Sequence, residues 1–344
     1  MKTYKLKCEI LSPLHIGAGD EIDPLNYIIK DGKLFRLSLE KYILHMKDDK
    51  QREEFEKLID IGDLIKLRQY ILENINTDTD SLYSIEVSPS IEKLYSAKLR
   101  DIQNQLLINA FFRTEGLSKP LIPGSSVKGA IRTAVVSVLA KKSNLSPPKG
   151  YREEYTFESK VLDYEDGKED PFRGIKIKDA ALKNDSMIVQ EVRNVSRKER
   201  NILEANNIQI ICEVTYSAMT GKSIEFEIEL CLDEELFSTE YLSRKLTIDQ
   251  IAQSCNEFYK DKMELEDRKF YKGTASENYS AQLLNAALNK NSFLLRIGRF
   301  SGVESVTLDN YRNPKPVSDK AVWGTTRNLI EGKYPLGWIM VTIE

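Results

Sequence analysis

Residues 121–139 admit few conformations. Pro123-Gly124 ends whatever precedes it, and Val127, Ala130, Ile131, Ala134, Val135, Val138 and Leu139 then recur at the i, i+3, i+4, i+7 spacing of one apolar helix face. Ser125 or Ser126 is placed to cap this helix. Its first two turns then carry free N–H groups, two hydroxyls and the side chains of Lys128 and Arg132, a combination suited to holding phosphate. An ordinary capped helix packed on a sheet fits the same residues. Gly129 is a poor helix former in this position, which points to close approach by another backbone.

The surrounding pattern supplies strands for such a helix to cover. Tyr4, Leu6, Cys8 and Ile10 alternate with polar residues, as a half-buried strand does. Residues 27–37 read as a hairpin through Asp31-Gly32, a dipeptide suited to the positive φ of a two-residue turn. Ser38 precedes a helical stretch, and residues 47–80 read as a charged helical insertion. Leu106–Phe112 is a further strand, Asn144–Gly150 a linker, and Glu153–Asp170 an acidic loop. In the second half, residues 174–178 and 186–192 read as strands, and residues 208–216 and 223–232 as a long hairpin. Residues 248–265 and 280–288 read as helices, and residues 293–297 and 338–343 as closing strands. This order predicts an α+β fold of two ferredoxin-like (RRM-like) βαββαβ units packed together, at residues 1–145 and 146–344.

Composition removes several alternatives. Apolar residues make up 41% and charged residues 30%, the balance of a globular chain. No apolar run suits a membrane span, and the N-terminus passes straight into a strand without a signal-peptide core, so a cytoplasmic location is expected. The four cysteines are dispersed and only two histidines are present, which gives no zinc spacing. Residues 124–128 lack the order of a P-loop, and no cofactor is expected. A net charge of −3 excludes a chain that grips nucleic acid over its whole surface and leaves room for a local basic site.

Two other stretches share a strand-then-glycine form. Ser12-Pro-Leu-His-Ile-Gly-Ala-Gly19 lies near the N-terminus, and Leu294-Leu-Arg-Ile-Gly-Arg-Phe-Ser-Gly302 lies near the C-terminus, followed by Trp323-Gly-Thr-Thr-Arg327. With the Pro-Gly-Ser-Ser-Val-Lys-Gly-Ala-Ile-Arg helix start, they resemble the RAMP superfamily of CRISPR-associated RNA-binding proteins. Within it, the chain looks most like the type III-A (Csm) effector subunit at the 3′ end of the guide RNA. The C-terminal glycines depart from a dense glycine loop, being interrupted by Arg299, Phe300 and Ser301. The resemblance implies a non-catalytic role in holding the 3′ part of crRNA and supporting its maturation in antiviral defence. It also implies other Csm subunits as partners, the adjacent backbone subunit above all.

The candidate RNA contacts are His15, Gly17 and Gly19; Ser125, Ser126, Lys128 and Arg132; and Arg296, Arg299, Phe300, Thr325, Thr326 and Arg327. Glycines admit a close backbone, guanidiniums neutralise phosphate, and Phe300 offers a stacking face. Arg193, Arg197, Lys198 and Arg200 could track a backbone or form a solvated face. The rival class is a metal-independent endoribonuclease acting on precursor RNA, for which His15, or His45 with Tyr42 and Lys47, would supply acid–base chemistry. No acid–base partner lies close to His15 in sequence, His45 is accounted for by its place beside the apolar helix face of Tyr42, Ile43 and Met46, and no catalytic or metal residue is assigned.

Overall fold

The computed structural model describes residues 1–46, 49–101, 106–114, 118–143, 145–146, 148, 151–198, 201–204, 210–239, 241–274, 276–286, 291–308 and 326–344. The first half runs β1 (Lys2–Ile10), β2 (Gly17–Ile22), β3 (Tyr27–Lys30), β4 (Lys33–Leu37), α1 (Leu39–Leu44), α2 (Asp49–Ile61), α3 (Leu64–Asn74), α4 (Thr77–Asp80), β5 (Ser81–Val87), α5 (Pro89–Lys98), β6 (Ile108–Phe111), β7 (Leu121–Ile122) and α6 (Gly124–Lys142). The second runs α7 (Tyr151–Leu162), β8 (Ile175–Ile177), β9 (Ala180–Ala181), β10 (Met187–Lys198), β11 (Asn201–Glu204), β12 (Ile210–Thr215), β13 (Ile224–Leu232), α8 (Glu234–Ser238), α9 (Ile248–Glu266), α10 (Glu277–Ala286), β14 (Ser292–Arg296), β15 (Thr326–Ile330) and β16 (Trp338–Ile343). The fold is mixed α+β.

One sheet has the order β14-β16-β1-β13-β8, and a second runs β2-β6-β12-β10-β5-β4-β3 with β11 and β15 also paired to β10. Both sheets draw strands from either side of residue 145. Leu6, Cys8 and Ile10 face the core from β1, as their alternation requires. Asp31 and Gly32 both take positive φ, 52° and 73°, and close the hairpin between β3 and β4. Helices α2 to α4 occupy the insertion, and with α1 they enclose a small core around Tyr42, Phe55, Leu67 and Ile71.

Two expectations fail here. The hairpin joining residues 208–216 to 223–232 does not form, because β12 pairs with β10 and β6 while β13 pairs with β1 and β8. Burial accounts for the separation. Residues 211–215 of β12 are all buried, whereas β13 alternates buried and less buried positions, so one is enclosed on both faces and the other on one. The acidic stretch from residue 153 is also no loop, since α7 runs to Leu162. Its carboxylates answer Arg132, which bonds Glu158 at 2.9 Å and Asp170 at 2.8 Å. The linker region around Asn144–Gly150 lies largely outside the described residues.

Helix α6 is the pivot between the sheets and α9. Its predicted face is buried apart from half-buried Leu139, and Val136, Ser137 and Ala140 are buried as well. The Tyr259 hydroxyl of α9 donates to the Ala130 carbonyl at 3.0 Å. The cap differs from the expected one: neither Ser125 nor Ser126 closes the helix, which begins at Gly124, and the Gly124 N–H donates to Asp179 at 2.7 Å. Glycine is required there because a Cβ would stand 2.1 Å from the Ile177 carbonyl oxygen. Gly129 has the opposite environment, with nothing within 4 Å of a Cβ. Gly124→Ala should therefore destabilise the protein by about 1–3 kcal/mol through overpacking. Gly129→Ala should stabilise it by about 0.5–1 kcal/mol through helix propensity. Urea denaturation of the two variants checks the opposite signs.

Candidate nucleic-acid interface

Three motifs distant in sequence meet at one cleft of about 710 Å³. Ile16, Gly17 and Gly19 line it from the first, Ser126, Gly129, Ala130 and Thr133 from α6, and Arg296 to Arg299 from the third, with Tyr259, Ser305 and Val306 completing the wall. The small side chains of α6 stand at i, i+3, i+4 and i+7, so a second face of the helix, beside its apolar one, opens onto the cleft. Thr133, Asn109 and Ser305 were absent from the sequence-derived candidates. The spacing of Thr133 from Ser126 and Gly129 was the available signal for it, whereas nothing local marks the other two.

Backbone contacts hold the two glycine loops together. The Arg299 N–H donates to the His15 carbonyl at 2.8 Å. Gly298 permits this approach: its φ is +84°, and a Cβ there would lie 2.4 Å from the same oxygen. Arg299 itself is exposed, and its guanidinium bonds Asn109 Oδ1 at 2.6 Å and lies over the Phe300 ring. Phe300, with φ of 68°, stacks on His15 at 5.9 Å between ring centroids.

His15 is fully buried, and its Nδ1–H donates to the Glu213 carbonyl at 2.8 Å. Desolvation pulls its pKa down to about 4, opposed by the backbone bond and aided by the nearby Arg299 charge. The ring is thus neutral at pH 7. With Nδ1 carrying the proton, Nε2 keeps its lone pair, and among the described residues it has no hydrogen-bond partner.

The remaining cations are differently placed. Arg296 is 3% exposed, donates to Glu266 at 2.9 Å and to the Leu336 carbonyl, and lies over Trp338. Arg327 binds the same Glu266 and also Glu304. Glu266 therefore ties β14 to β15, and both guanidiniums are committed inside the protein. Arg132 is likewise held by Glu158, Asp170 and the Tyr164 hydroxyl. Lys128 lies one turn before it, half-buried, and burial lowers its pKa while Asp170 opposes that shift. Neither Lys128 nor Arg132 lines the cleft, and Asp179 occupies the first N–H of α6 that phosphate would use. Ser125 is exposed beside it. Thr326 is exposed at the start of β15, while Thr325 and Trp323 lie outside the described residues.

The second histidine belongs to another cleft, of about 500 Å³, in the helical insertion. His45 Nδ1 meets Asp80 at 2.6 Å, and Asp80 also accepts from the Asn76 N–H and the Thr79 hydroxyl. Glu54, Glu73 and Asp80 line this cleft with Lys50, which makes it acidic. Lys47 and Arg200 lie outside the described residues, as do the side chains of Arg197 and Lys198, and Arg193 pairs with Glu191. Among the described residues no group of three His, Cys, Asp or Glu side chains could hold a metal, and no helix is long and apolar enough to cross a membrane.

A family model described as the RAMP superfamily matches residues 7–303, a span holding all three motifs that form the cleft. The chain belongs to the RAMP superfamily. Within the family, a 138-residue stretch is 30% identical to a Methanocaldococcus jannaschii protein named "CRISPR system Cms protein Csm5", covering 39% of this chain and 30% of that protein. The chain thus spans under a third of that relative's length in the match. A Streptococcus thermophilus protein of the same name is 27% identical over 276 residues, 76% of this chain and 70% of that one. Solved RAMP-like folds agree. A chain of a cryo-EM structure of a Csm-crRNA-target RNA ternary complex in a type III-A CRISPR-Cas system superposes with TM-score 0.70 at 20% identity, covering 99% of this chain and 100% of that one. The crystal structure of T. onnurineus Csm5 does so with TM-score 0.65 at 20% identity, covering 97% and 99%. The expected resemblance to a Csm effector subunit is matched by these relatives.

The depressed pKa of His15 has a consequence for stability. The unfolded imidazole titrates near 6.5 and the folded one near 4, so below pH 6.5 the unfolded chain binds more protons. The stabilisation is complete above pH 6.5 and is lost as pH falls towards 4, up to about 3 kcal/mol. Denaturation midpoints of wild type and His15→Asn between pH 4 and 7 should converge at the acid end if His15 is the source.

Proposed function

We propose that this protein is an RNA-binding subunit of a type III-A CRISPR effector complex. It caps the 3′ part of the crRNA without cutting it, packs against the adjacent backbone subunit and other Csm subunits, and supports crRNA maturation in antiviral defence. The observation that carries this reading is the convergence of both glycine loops and α6 on one cleft whose exposed cation is Arg299. The names of the relatives and of the ternary complex support the assembly and the crRNA partner. We further infer that the two sheets are modified ferredoxin-like units interleaved along the chain, because each takes strands from both halves.

Within the cleft, Gly17, Gly19, Ser126 and Gly129 admit the strand closely and Arg299 meets a phosphate. Phe300 and His15 stack beside Gly17, and Ser125, Thr325 and Thr326 are assigned as further hydroxyl contacts to the strand. Arg296, Arg327 and Arg132 act indirectly, by fixing the loops and α6 through their carboxylate partners. Lys128 adds a diffuse positive potential.

The endoribonuclease reading has one observation in its favour, the His45–Asp80 pair, which orients an imidazole as a general base would be oriented. The carboxylates of Glu54 and Glu73 around it oppose a polyanionic substrate. Purified protein incubated with a repeat-containing RNA in EDTA should leave it intact; cleavage lost in His45→Ala would establish the rival. Arg299→Glu should weaken RNA retention by at least about tenfold, since it removes one charge-assisted contact and adds a repulsive one. Lys57→Glu in the insertion should leave it nearly unchanged. Crosslinks from the guide RNA in the assembled complex should fall on residues 17–19 and 298–300, and crosslinks confined to the insertion would overturn the assignment.

A further inference from the structure

We propose that His15 Nε2 is the group by which the cleft recognises ribose, accepting a hydrogen bond from a 2′-hydroxyl of the bound strand; this rests on the RNA-binding reading above. The Glu213 carbonyl can only accept, so the ring nitrogen 2.8 Å from it must be the donor. In a neutral imidazole that leaves Nε2 as an acceptor. Burial keeps the ring neutral at pH 7, with a pKa of about 4. Nε2 is buried with no partner among the described residues, a state that costs free energy until a donor arrives.

The surroundings of Nε2 indicate where that donor comes from. Phe300 stacks on the ring face and Phe111 meets it edge-on at 6.3 Å between centroids. Over Nε2 itself stands Gly17, whose absent Cβ would lie 3.3 Å from that nitrogen and 3.9 Å from Arg299 Cδ. Gly17 is exposed and lines the cleft, and the β2–β6 register shifts between Gly17 and Glu21. Glycine in a bulged edge strand is thus the cover between the acceptor and the cleft, and a small displacement of it opens Nε2 to a strand lying there. Phosphate oxygens are excluded as partners, because they too are acceptors at neutral pH. Within an RNA strand, away from its terminal hydroxyls, the neutral donors are base N–H groups and the 2′-hydroxyl, and only the latter is present on every nucleotide. Recognition at an internal position that does not depend on base identity therefore falls to it.

The test measures binding of the full-length protein to labelled oligouridylate, the matching oligodeoxyuridylate, a 2′-fluoro strand that keeps the ribose pucker without the donor, and a strand methylated at uracil N3. Wild type should prefer the ribo strand over both the deoxy and the 2′-fluoro strand. About 3- to 10-fold of that preference should vanish in His15→Phe, the size of one hydrogen bond. His15→Phe also removes the bond to Glu213, so Gly17→Ala provides a second route. It keeps His15 and its backbone bond while placing a methyl over Nε2, and it should lose the same share of the preference. A wild type that binds ribo and deoxy strands equally overturns the proposal and leaves the RNA-binding reading intact. So does a preference that both variants retain, or one that N3 methylation removes and 2′-fluorination does not. A protein that binds none of the strands overturns both readings.

Discussion

The site depends on one close junction of three backbone segments. Gly337 N–H donates to the Pro13 carbonyl at 2.9 Å, Ile297 N–H to the Gly337 carbonyl at 2.9 Å, and Arg299 N–H to the His15 carbonyl at 2.8 Å. Side chains have no room in this arrangement: a Cβ on Gly337 would lie 2.5 Å from the Ile297 oxygen, and one on Gly298 2.4 Å from the His15 oxygen. Both glycines take positive φ, 93° and 84°, so they satisfy two demands at once, conformation and proximity. Because β1 and β14 enter this junction from the first sheet and β2 leaves it into the second, it fixes one sheet against the other. The cleft wall is part of that joint.

Around the junction, buried charge sets the loop positions. Glu266 is 5% exposed on its side chain and receives Arg296 and Arg327. A carboxylate shared by two guanidiniums at that depth gains little over an apolar core of similar volume, yet removing it would take the carboxylate from buried Arg296 and leave Arg327 to Glu304, at a cost of about 3–5 kcal/mol. Such a cluster supplies position more than stability. Helix α9 ends at Glu266 in a π-helical turn, residues 267–271, which directs Phe270 and Tyr271 inward, the former under Arg327 at 5.4 Å. Turns of this type interrupt regular helices where a side chain must be re-aimed. Here the result is that the strand after the third motif and the strand before it share one anchor.

Local patterns explain which parts were legible in the sequence. The apolar face of α6, the alternation in β1 and the Asp31-Gly32 turn each depend on neighbours within a few residues, so their periodicity carried them. Partner choice depends on distance in space. Nothing near Arg132 marks Asp170 as its counter-ion, and nothing near Gly124 marks Asp179 as its cap. Nor does Arg296 announce Glu266. In a chain with 53 Asp and Glu residues, the few carboxylates that matter are indistinguishable from the solvated majority. The failed hairpin has the same origin: residues 210–215 and 224–232 are adjacent in the chain and each is strand-like, but β12 pairs back onto β10 while β13 pairs with β1 at the other end of the chain. The three cleft motifs were visible separately; their convergence follows from sheet order, which no short window contains.

Helix α6 separates internal demands from external ones. Gly124 has an internal cause, the Ile177 carbonyl at its back. Gly129 lies five residues on, exposed in the same helix, with empty space where its side chain would be. A glycine there costs the helix about 0.8–1.0 kcal/mol relative to alanine, and no contact within the described chain repays it. The same residue lines the cleft, as Arg299 does. Among the described residues that line it the cleft has one exposed cation, Arg299, and in a chain of net charge −3 such a cleft draws little on long-range attraction. An occupant there would be held by close approach over Gly17, Gly19 and Gly129 and by a few directed bonds. Such binding is weak for an isolated strand and strong for one already positioned by neighbouring subunits, because the entropy of bringing it to the site has then been met elsewhere.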